Sequence, residues 1–483
     1  MTEKFYPPPN TPMSVARRVI ADTFTATITI DAAADRKIQT IGSWRDGRYR
    51  YNGRYWQDAH PKGKDLKSVL YRVLEVANYF DPKDEVPVPF NPTRAKVANV
   101  LDCIESLEHD LLPDRLDAPF WINTYDDQDP ADQYVVMNNG MLHLPSKTLE
   151  PHSPELFSTW ALPFDYDNSA TCPVWQRFIS EIFAHDAHGA LSLQEFMGYL
   201  ISGRMEQHKG FAIIGPGRAG KGTISRIIKQ LVGVENTASP SLHTLGSEFG
   251  LAELIGMPFA VIEDARRDDT RGSSRAVEVL LNIIGNDAVS INRKNHEYWN
   301  GTLPTRMMIV SNEVPRFVDT SAAIASRFIA VQLTQTFRGR EDVELGNKLT
   351  AELPGIFNWA LAGLQRLDEQ GRFTIPGTHD QVTEIMADSA SPLQVFVNDR
   401  YDVTGDENDI IPVSEVHRKY RNHCDDMGTK PLSQIEFFRQ IGAIDPNIKA
   451  KNTRINGEDK KSRYIFGIRE PAGFPSAAHV KSA

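Results

Sequence analysis

The stretch Phe211-Ala-Ile-Ile-Gly-Pro-Gly-Arg-Ala-Gly-Lys-Gly-Thr223 decides the fold. Phe211 to Ile214 form an apolar run of buried-strand type. They lead directly into Gly215, Pro216, Gly217, Arg218, Ala219, Gly220, Lys221, Gly222 and Thr223. A helix with apolar Ile224, Ile227, Ile228 and Leu231 follows. Strand, glycine-rich loop and helix in that order are the setting a P-loop requires. The glycines let backbone N–H groups curl around phosphate oxygens, and the helix N-terminus adds its positive dipole end. Lys221 is placed to reach the β- and γ-phosphates, so ATP with Mg²⁺ is the expected ligand.

One letter departs from the pattern. Gly222 stands where a Ser or Thr supplies the usual magnesium hydroxyl, which leaves Thr223 as the nearest hydroxyl and the expected metal contact. Nucleotide kinases of the adenylate kinase type also carry Gly-Lys-Gly-Thr, so the spelling alone keeps a small-molecule kinase in view.

Two further strands read outward from the loop. Pro258-Phe-Ala-Val-Ile-Glu-Asp264 is an apolar run ending in two carboxylates, the layout of a Walker B site. Glu263 is expected to hold Mg²⁺ through water while Asp264 polarises the attacking water. Met307-Met-Ile-Val-Ser-Asn312 gives a strand ending in an amide that can orient water against the γ-phosphate, at the edge where parallel sheets bind ligands. Between them lie a helix from Ser274 to Ile284 and a strand and hairpin within Gly285 to Gly301.

The bulk numbers set outer bounds. A chain of 483 residues, 41% hydrophobic and 24% charged, is globular and holds two to four domains. It lacks the roughly 18 uninterrupted apolar residues of a membrane span and an apolar h-region at its start. Cys103, Cys172 and Cys424 are scattered and without zinc spacing, which fits a reduced, cytoplasmic protein, in a bacterial host if phage- or plasmid-encoded. A net charge of −10 argues against coating DNA over the whole surface, but not against cations confined to a pore.

Around the centre, a Pro-rich arm precedes a helix through Val15–Ala21. Asp46-Gly47 and Asn52-Gly53 mark tight turns in a small aromatic meander over Trp44–Trp56. Its alternation predicts aromatics inward and arginines in water, although interleaved Arg and Tyr also suit stacking on single-stranded bases. Helices are expected over Leu66–Phe80, Thr93–Leu107, Trp175–Phe183 and Leu191–Ile201, with paired strands around Asn139-Gly140. Near the end, Glu415–Met427 reads as a helix. Ser433-Gln-Ile-Glu436 is a capping box for a second helix stopped by Gly442. Lys449 to Tyr464 reads as a basic hairpin. That order is a winged-helix pattern, with Lys449, Lys451, Arg454, Lys460, Lys461 and Arg463 facing duplex phosphates.

The P-loop, the paired acids and Ser311-Asn312-Glu-Val-Pro315 together resemble superfamily 3 helicases, a branch of the AAA+ ATPases. More narrowly they are similar to the phage/plasmid and poxvirus-type primase–helicases, chiefly over Asn312–Phe328, with Asn139–Leu144 and Phe164–Trp175 alike upstream. The resemblance implies an arginine finger at Arg327, with Arg316 in reserve, and a pore hairpin in which Lys294 and His296, supported by Arg293, grip DNA. The implied fold is α/β: a superfamily 3 AAA+ P-loop parallel-sheet core over 201–345. An α+β lead-in (1–130) and a helical collar (131–200) precede it. A helical lid (346–390), a winged-helix DNA-binding domain (391–470) and a flexible tail (471–483) follow.

The implied activity is an ATP-dependent DNA helicase or translocase of phage or plasmid replication. It forms a ring, most simply a homo-hexamer, on single-stranded and forked DNA. A separate primase and other replication proteins are the implied partners, since the region before residue 200 shows no carboxylate triad for primer synthesis. The alternatives are an ATP-regulated initiator that binds DNA without unwinding it, and the nucleotide kinase.

Overall fold

In the computed structural model Phe211 to Ile214 are buried on both faces, as an unbroken apolar run requires of a strand inside a parallel sheet. The structure describes residues 4–31, 34–45, 47–59, 64–83, 86–108, 111–126, 128–263, 273–294, 297–315, 317, 323–340, 342–390, 392–426, 431–454 and 461–471. Asp264, His296, Arg316 and Lys460 lie outside the described residues.

Five parallel strands form the central sheet: β1 (Gly210–Ile214), β2 (Thr237–Ala238), β3 (Phe259–Glu263), β4 (Arg306–Ser311) and β5 (Phe328–Gln332). They pair in the order β2-β3-β4-β1-β5. The register sets Ile214 opposite Ser311 and Glu263 opposite Val310, so the carboxyl ends of β1, β3 and β4 are level. At the other end Gly210 stands opposite Phe328. The strand order reverses at β1, where open parallel sheets leave a crevice for ligands.

Side-chain alternation assigns the two faces. Phe211, Ile213, Phe259, Val261, Met308 and Val310 pack into one core with helices Pro173–Ile182, Ala187–Ser202, Lys221–Val232 and Leu353–Gln370. Ala212, Ile214, Ala260, Ile262, Met307 and Ile309 face a second core with helix Ser273–Ile284. Helices 187–202 and 353–370 meet at glycines. A Cβ on Gly198 would stand 2.5 Å from Ala360 O, and one on Gly363 2.3 Å from Gln194 O. Beside that contact Glu195 is fully buried and receives Arg366 Nε at 2.6 Å and the Thr374 amide at 2.7 Å, so its charge is compensated. The first core thus spans segments before and after the sheet, from Val135 to Phe373.

The segment read as a collar opens with the paired strands expected around Asn139-Gly140, Tyr134–Val136 and Met141–His143, extended by a third strand Thr148–Glu150. Its helices begin at Pro173. The amino-terminal core packs helices Pro12–Thr23, Lys64–Glu75 and Arg94–Glu108. Here one expectation fails: the helix read through Phe80 ends at Glu75, and Ala77–Phe80 is a strand between Lys4–Phe5 and Pro87–Pro89. The strand Lys4–Phe5, more than seventy residues away in the chain, pairs along one edge and the following hairpin strand Pro87–Pro89 along the other, so the pairing that fixes it is partly non-local. In the meander (Ile41–Trp44, Gly47–Tyr51, Trp56–Asp58) the rings of Trp44, Tyr49 and Trp56 all pack against Phe157. The aromatics face inward, and base stacking has no exposed platform there.

The C-terminal module has its own core around Phe396, Tyr420, Phe437 and Ile465. Helices Val413–Asp426 and Gln434–Ile444 pack with strands Ile410–Pro412, Lys449–Thr453 and Ser462–Phe466. Both bonds of the Ser433–Glu436 capping box form. Gly442 does not stop its helix, which runs on to Ile444 because burial of Phe437 and Ile441 holds the last turns in place. Among the described residues no helix is long and apolar enough to cross a membrane.

Candidate functional site

The loop after β1 is shaped by its backbone. Gly220 has φ +91°, and a Cβ there would lie 2.5 Å from Ile182 Cδ1, so only glycine fits. Lys221 opens the following helix and is 7% exposed. Its Nζ donates to Gly215 O at 2.6 Å, Pro216 O at 2.7 Å and Asn312 Oδ1 at 3.0 Å. These oxygens orient the ammonium at the wall of the cleft. The chain after β5 braces the loop from outside: Leu333 N donates to Ile214 O, Thr336 Oγ1 to Gly217 O and Phe337 N to Arg218 O.

Glu263, at the carboxyl end of β3, accepts Lys229 Nζ at 2.9 Å and Ser225 Oγ at 3.2 Å on the same oxygen. Lys221, Ser225 and Lys229 are spaced by four and so share one helix face. An open cleft of about 430 Å³ is lined by Lys221, Gly222, Arg226, Lys229, Glu263 and Asn312, with Val310 and Ser311 at its floor. The structure thus brings Lys221, Glu263 and Asn312 together. Thr223 is half-buried one position beyond this lining, and its amide donates to Gly220 O. A Cβ on Gly222 would meet nothing within 4 Å. Ser225 and Lys229 went unread in the sequence, although the four-residue spacing from Lys221 was there to follow, and Arg226 went unread with them.

The donor set can be tested against magnesium. Among the described residues no three His, Cys, Asp or Glu side chains gather to cage a metal. Mg²⁺ characteristically takes one or two carboxylates and fills its remaining positions with water and phosphate oxygens. Glu263 in a polyphosphate-sized cleft fits that habit.

Arg327 is not part of this cleft. It precedes β5 at the amino end of the sheet, where its carbonyl accepts the Gly210 amide at 2.8 Å. Five residue steps, roughly 16 Å along the strand direction, separate its backbone from the level of Ile214, because Phe328 pairs with Gly210 and Gln332 with Ile214. Lys209 lies beside it, hydrogen-bonded to Ser326 O. Burial, and then the like charge of Arg327, push the Lys209 ammonium below its usual range.

The predicted hairpin is present as Val289–Ile291 paired with Trp299–Gly301. Lys294 is exposed near its tip, and Arg293 braces the tip through Nε to Glu297 O at 3.1 Å. In the C-terminal hairpin Lys449 and Lys451 lie 2.9 and 3.5 Å from Glu407, so phosphates would have to compete with that carboxylate. Lys451 also sits over Phe466 and Arg463 over Phe438, while Arg454 and Lys461 are exposed.

Three protein-family models match the chain in order. Residues 26–184 match the family described as D5 N terminal like, and 390–468 the one described as Poxvirus D5 protein-like. The chain belongs to the phage- and poxvirus-type primase–helicase family. The third model, a Family of unknown function (DUF5906), covers 213–327 and so spans Lys221, Glu263, Asn312 and Arg327.

Other likenesses are narrower. A stretch of 63 residues is 35% identical to the DNA-binding protein RFX7 of Xenopus laevis, covering 13% of this chain and only 4% of that protein. Two solved apo chains of the NrS-1 C-terminal region align at 15% and 12% identity. They cover 84% and 94% of this chain and 100% and 99% of their own, with TM-scores of 0.46 and 0.48.

Proposed function

We propose that this primase–helicase family member is an ATP-dependent DNA helicase of the superfamily 3 type, with an AAA+ core and a winged-helix C-terminal module. It would work as a ring, most simply a hexamer, drawing DNA through a central pore. One observation carries the reading: Lys221, Glu263 and Asn312 share a cleft at the carboxyl end of the sheet, while Arg327 stands at the far end. A finger whose backbone lies roughly 16 Å along the sheet from the end of β1 serves a neighbour's site far more readily than its own. Ring assembly, which sets unlike faces of successive subunits against each other, is the arrangement that joins the two.

In this reading ATP is the substrate, cradled by the amides of Gly215 to Thr223, with Lys221 on its β- and γ-phosphates. Magnesium, when bound, supplies charge neutralisation on the phosphates, and Glu263 with a hydroxyl of Thr223 are the residues to hold it. The Lys229 and Ser225 contacts orient the Glu263 carboxylate, and Arg226 adds a further cation to the cleft wall. Asn312 orients the attacking water, and Asp264 is the partner acid for polarising it. Arg327 from the adjacent subunit stabilises charge on the transferred phosphoryl group, a contribution of about 10³–10⁵ in rate. Lys294 and Arg293, with His296, would carry the motion to one DNA strand through phosphate contacts. The sheet-and-two-helix core of residues 393–468, with exposed Arg454 and Lys461, supports a second contact on duplex DNA.

The test is ATPase activity and fork unwinding, with and without single-stranded DNA, for the native chain and Lys221→Ala. Both activities are expected to fall by about 10²–10³-fold, the effect of deleting one preorganised charge partner of a reacting group. Retention of both would overturn the proposal.

A further inference from the structure

The base of the 289–301 hairpin does not stand alone. A two-stranded hairpin of three rungs is marginal by itself, so its position is set by what its base touches. That base touches the amino-terminal meander. Trp299, on the return strand, is 5% exposed, and the Arg45 guanidinium lies 5.8 Å from its ring centroid and 4.6 Å from that of Trp44. Arg45 Nη2 donates to Asp117 Oδ1 at 2.6 Å, and the same oxygen accepts Thr302 Oγ1 at 3.0 Å from the residue after the hairpin. Gly301 completes the approach, since a Cβ there would stand 3.0 Å from Arg45 Nη1.

Arg45 itself is held under strain. Its φ is +47°, a left-handed conformation that a non-glycine residue keeps only where its surroundings hold it there. The fixing groups are Asp114, whose carboxylate takes the Arg45 amide at 2.6 Å and whose carbonyl takes Nε at 3.0 Å. The outgoing arm lies close to the same sheet. Burial, then the Asp58 carboxylate, push the buried Tyr49 phenol well up, against the opposing charges of Arg45 and Arg293. The joint is not close-packed: a cavity of about 50 Å³, room for a few water molecules, lies between Trp44, Arg45, Trp160, Trp299 and Arg306.

Beyond the joint the chain runs from Gly301 straight into β4 and so to Asn312 in the cleft. Taking the hairpin as the DNA-gripping element proposed above, we propose that Arg45, through Asp117, Thr302 and Trp299, is a positioning residue that couples the amino-terminal region to the hairpin. The two move as one body against the parallel sheet. The amino-terminal region is then part of the stroke, and its loss of contact separates ATP turnover from strand separation.

Asp117→Ala and Thr302→Val in the full chain test this, because both side chains lie at the exposed rim of the joint. Basal ATPase is expected to stay within about twofold, as the cleft is distant. Fork unwinding per ATP hydrolysed is expected to fall about three- to tenfold, with Asp117→Glu recovering most of it by keeping the charged acceptor. A merely structural role would instead lower thermal stability and both activities in parallel, and that result overturns the proposal. Normal unwinding per ATP in both variants, alongside lost unwinding in Lys294→Ala, also overturns it and leaves the hairpin reading standing. Normal unwinding in Lys294→Ala removes the hairpin reading itself.

Discussion

At the carboxyl end of the sheet, Lys221, Glu263 and Asn312 stand in one cleft and are bonded to one another or to neighbouring helix residues. At the amino end, Lys209 and Arg327 stand side by side with like charge, and burial, then the charge of Arg327, lowers the proton affinity of Lys209. The first end gathers its polar groups around one cleft. The second sets two cations beside each other. On the proposed reading these are two halves of one ATP site, set at opposite ends of one sheet, that a ring of subunits would bring together.

The comparison breaks most visibly at Arg327. Arg327→Ala is expected to lower kcat for ATP hydrolysis by about 10³-fold or more with little change in nucleotide binding, the signature of a group that acts only as charge develops. Steady-state kinetics with a separate nucleotide-binding titration checks this. Equal loss of binding would move Arg327 into the ground-state site.

The carboxyl end is sharpened by its odd letter. Thr223→Val is expected to weaken magnesium dependence by about tenfold, the worth of one hydrogen-bonded or ligating hydroxyl near a charge. Gly222→Ser, which enters open space, should fold normally and restore part of the loss in the double variant. Titrating ATPase against Mg²⁺ decides between them. If Thr223→Val is silent, another group holds the metal, and Ser225 is the nearest on the same helix.

The smallest effect concerns what holds the helix layer under the loop. Asp186 caps helix 187–202 and accepts the amides of Gly189 and Gly377 at 3.0 and 3.1 Å. Burial by itself would raise its carboxyl pKa, but the amides of Gly377, Gly189 and Thr378 outweigh it, and the net shift is downward. A lowered carboxylate pKa contributes stability that is full above the unfolded value near 3.9 and is lost as pH falls through the folded value. Asp186→Ala is therefore expected to cost about 1 kcal/mol at neutral pH, with the gap closing in acid. Urea melts of both chains across that range measure it.

Much of the centre was legible because its signals are local. The strand-loop-helix of 211–231, the acid at the end of β3 and the Ser433 capping box each depend on residues within a few positions of one another. What sequence reading missed is held by distant partners. Ala77–Phe80 looks helical until Lys4–Phe5 and Pro87–Pro89 flank it. Glu407 is unremarkable until it meets Lys449 and Lys451. Arg45 reads as one more arginine of a basic meander, and only the fold carries Asp117 and Trp299 to it. Gly442 punctuates a pattern but not a helix whose neighbours are buried.

The most direct test of two half-sites joined across subunits is to mix Lys221→Ala with Arg327→Ala chains and measure ATPase at fixed total protein. Each variant alone lacks one half of every site. In a randomly mixed ring roughly a quarter of the interfaces pair an intact Lys221 with an intact Arg327, so activity should recover to about that fraction of the native rate. Recovery well above the sum of the separate variants is the predicted result. Activity equal to that sum, with mixed assemblies demonstrated in the same sample, would contradict the account.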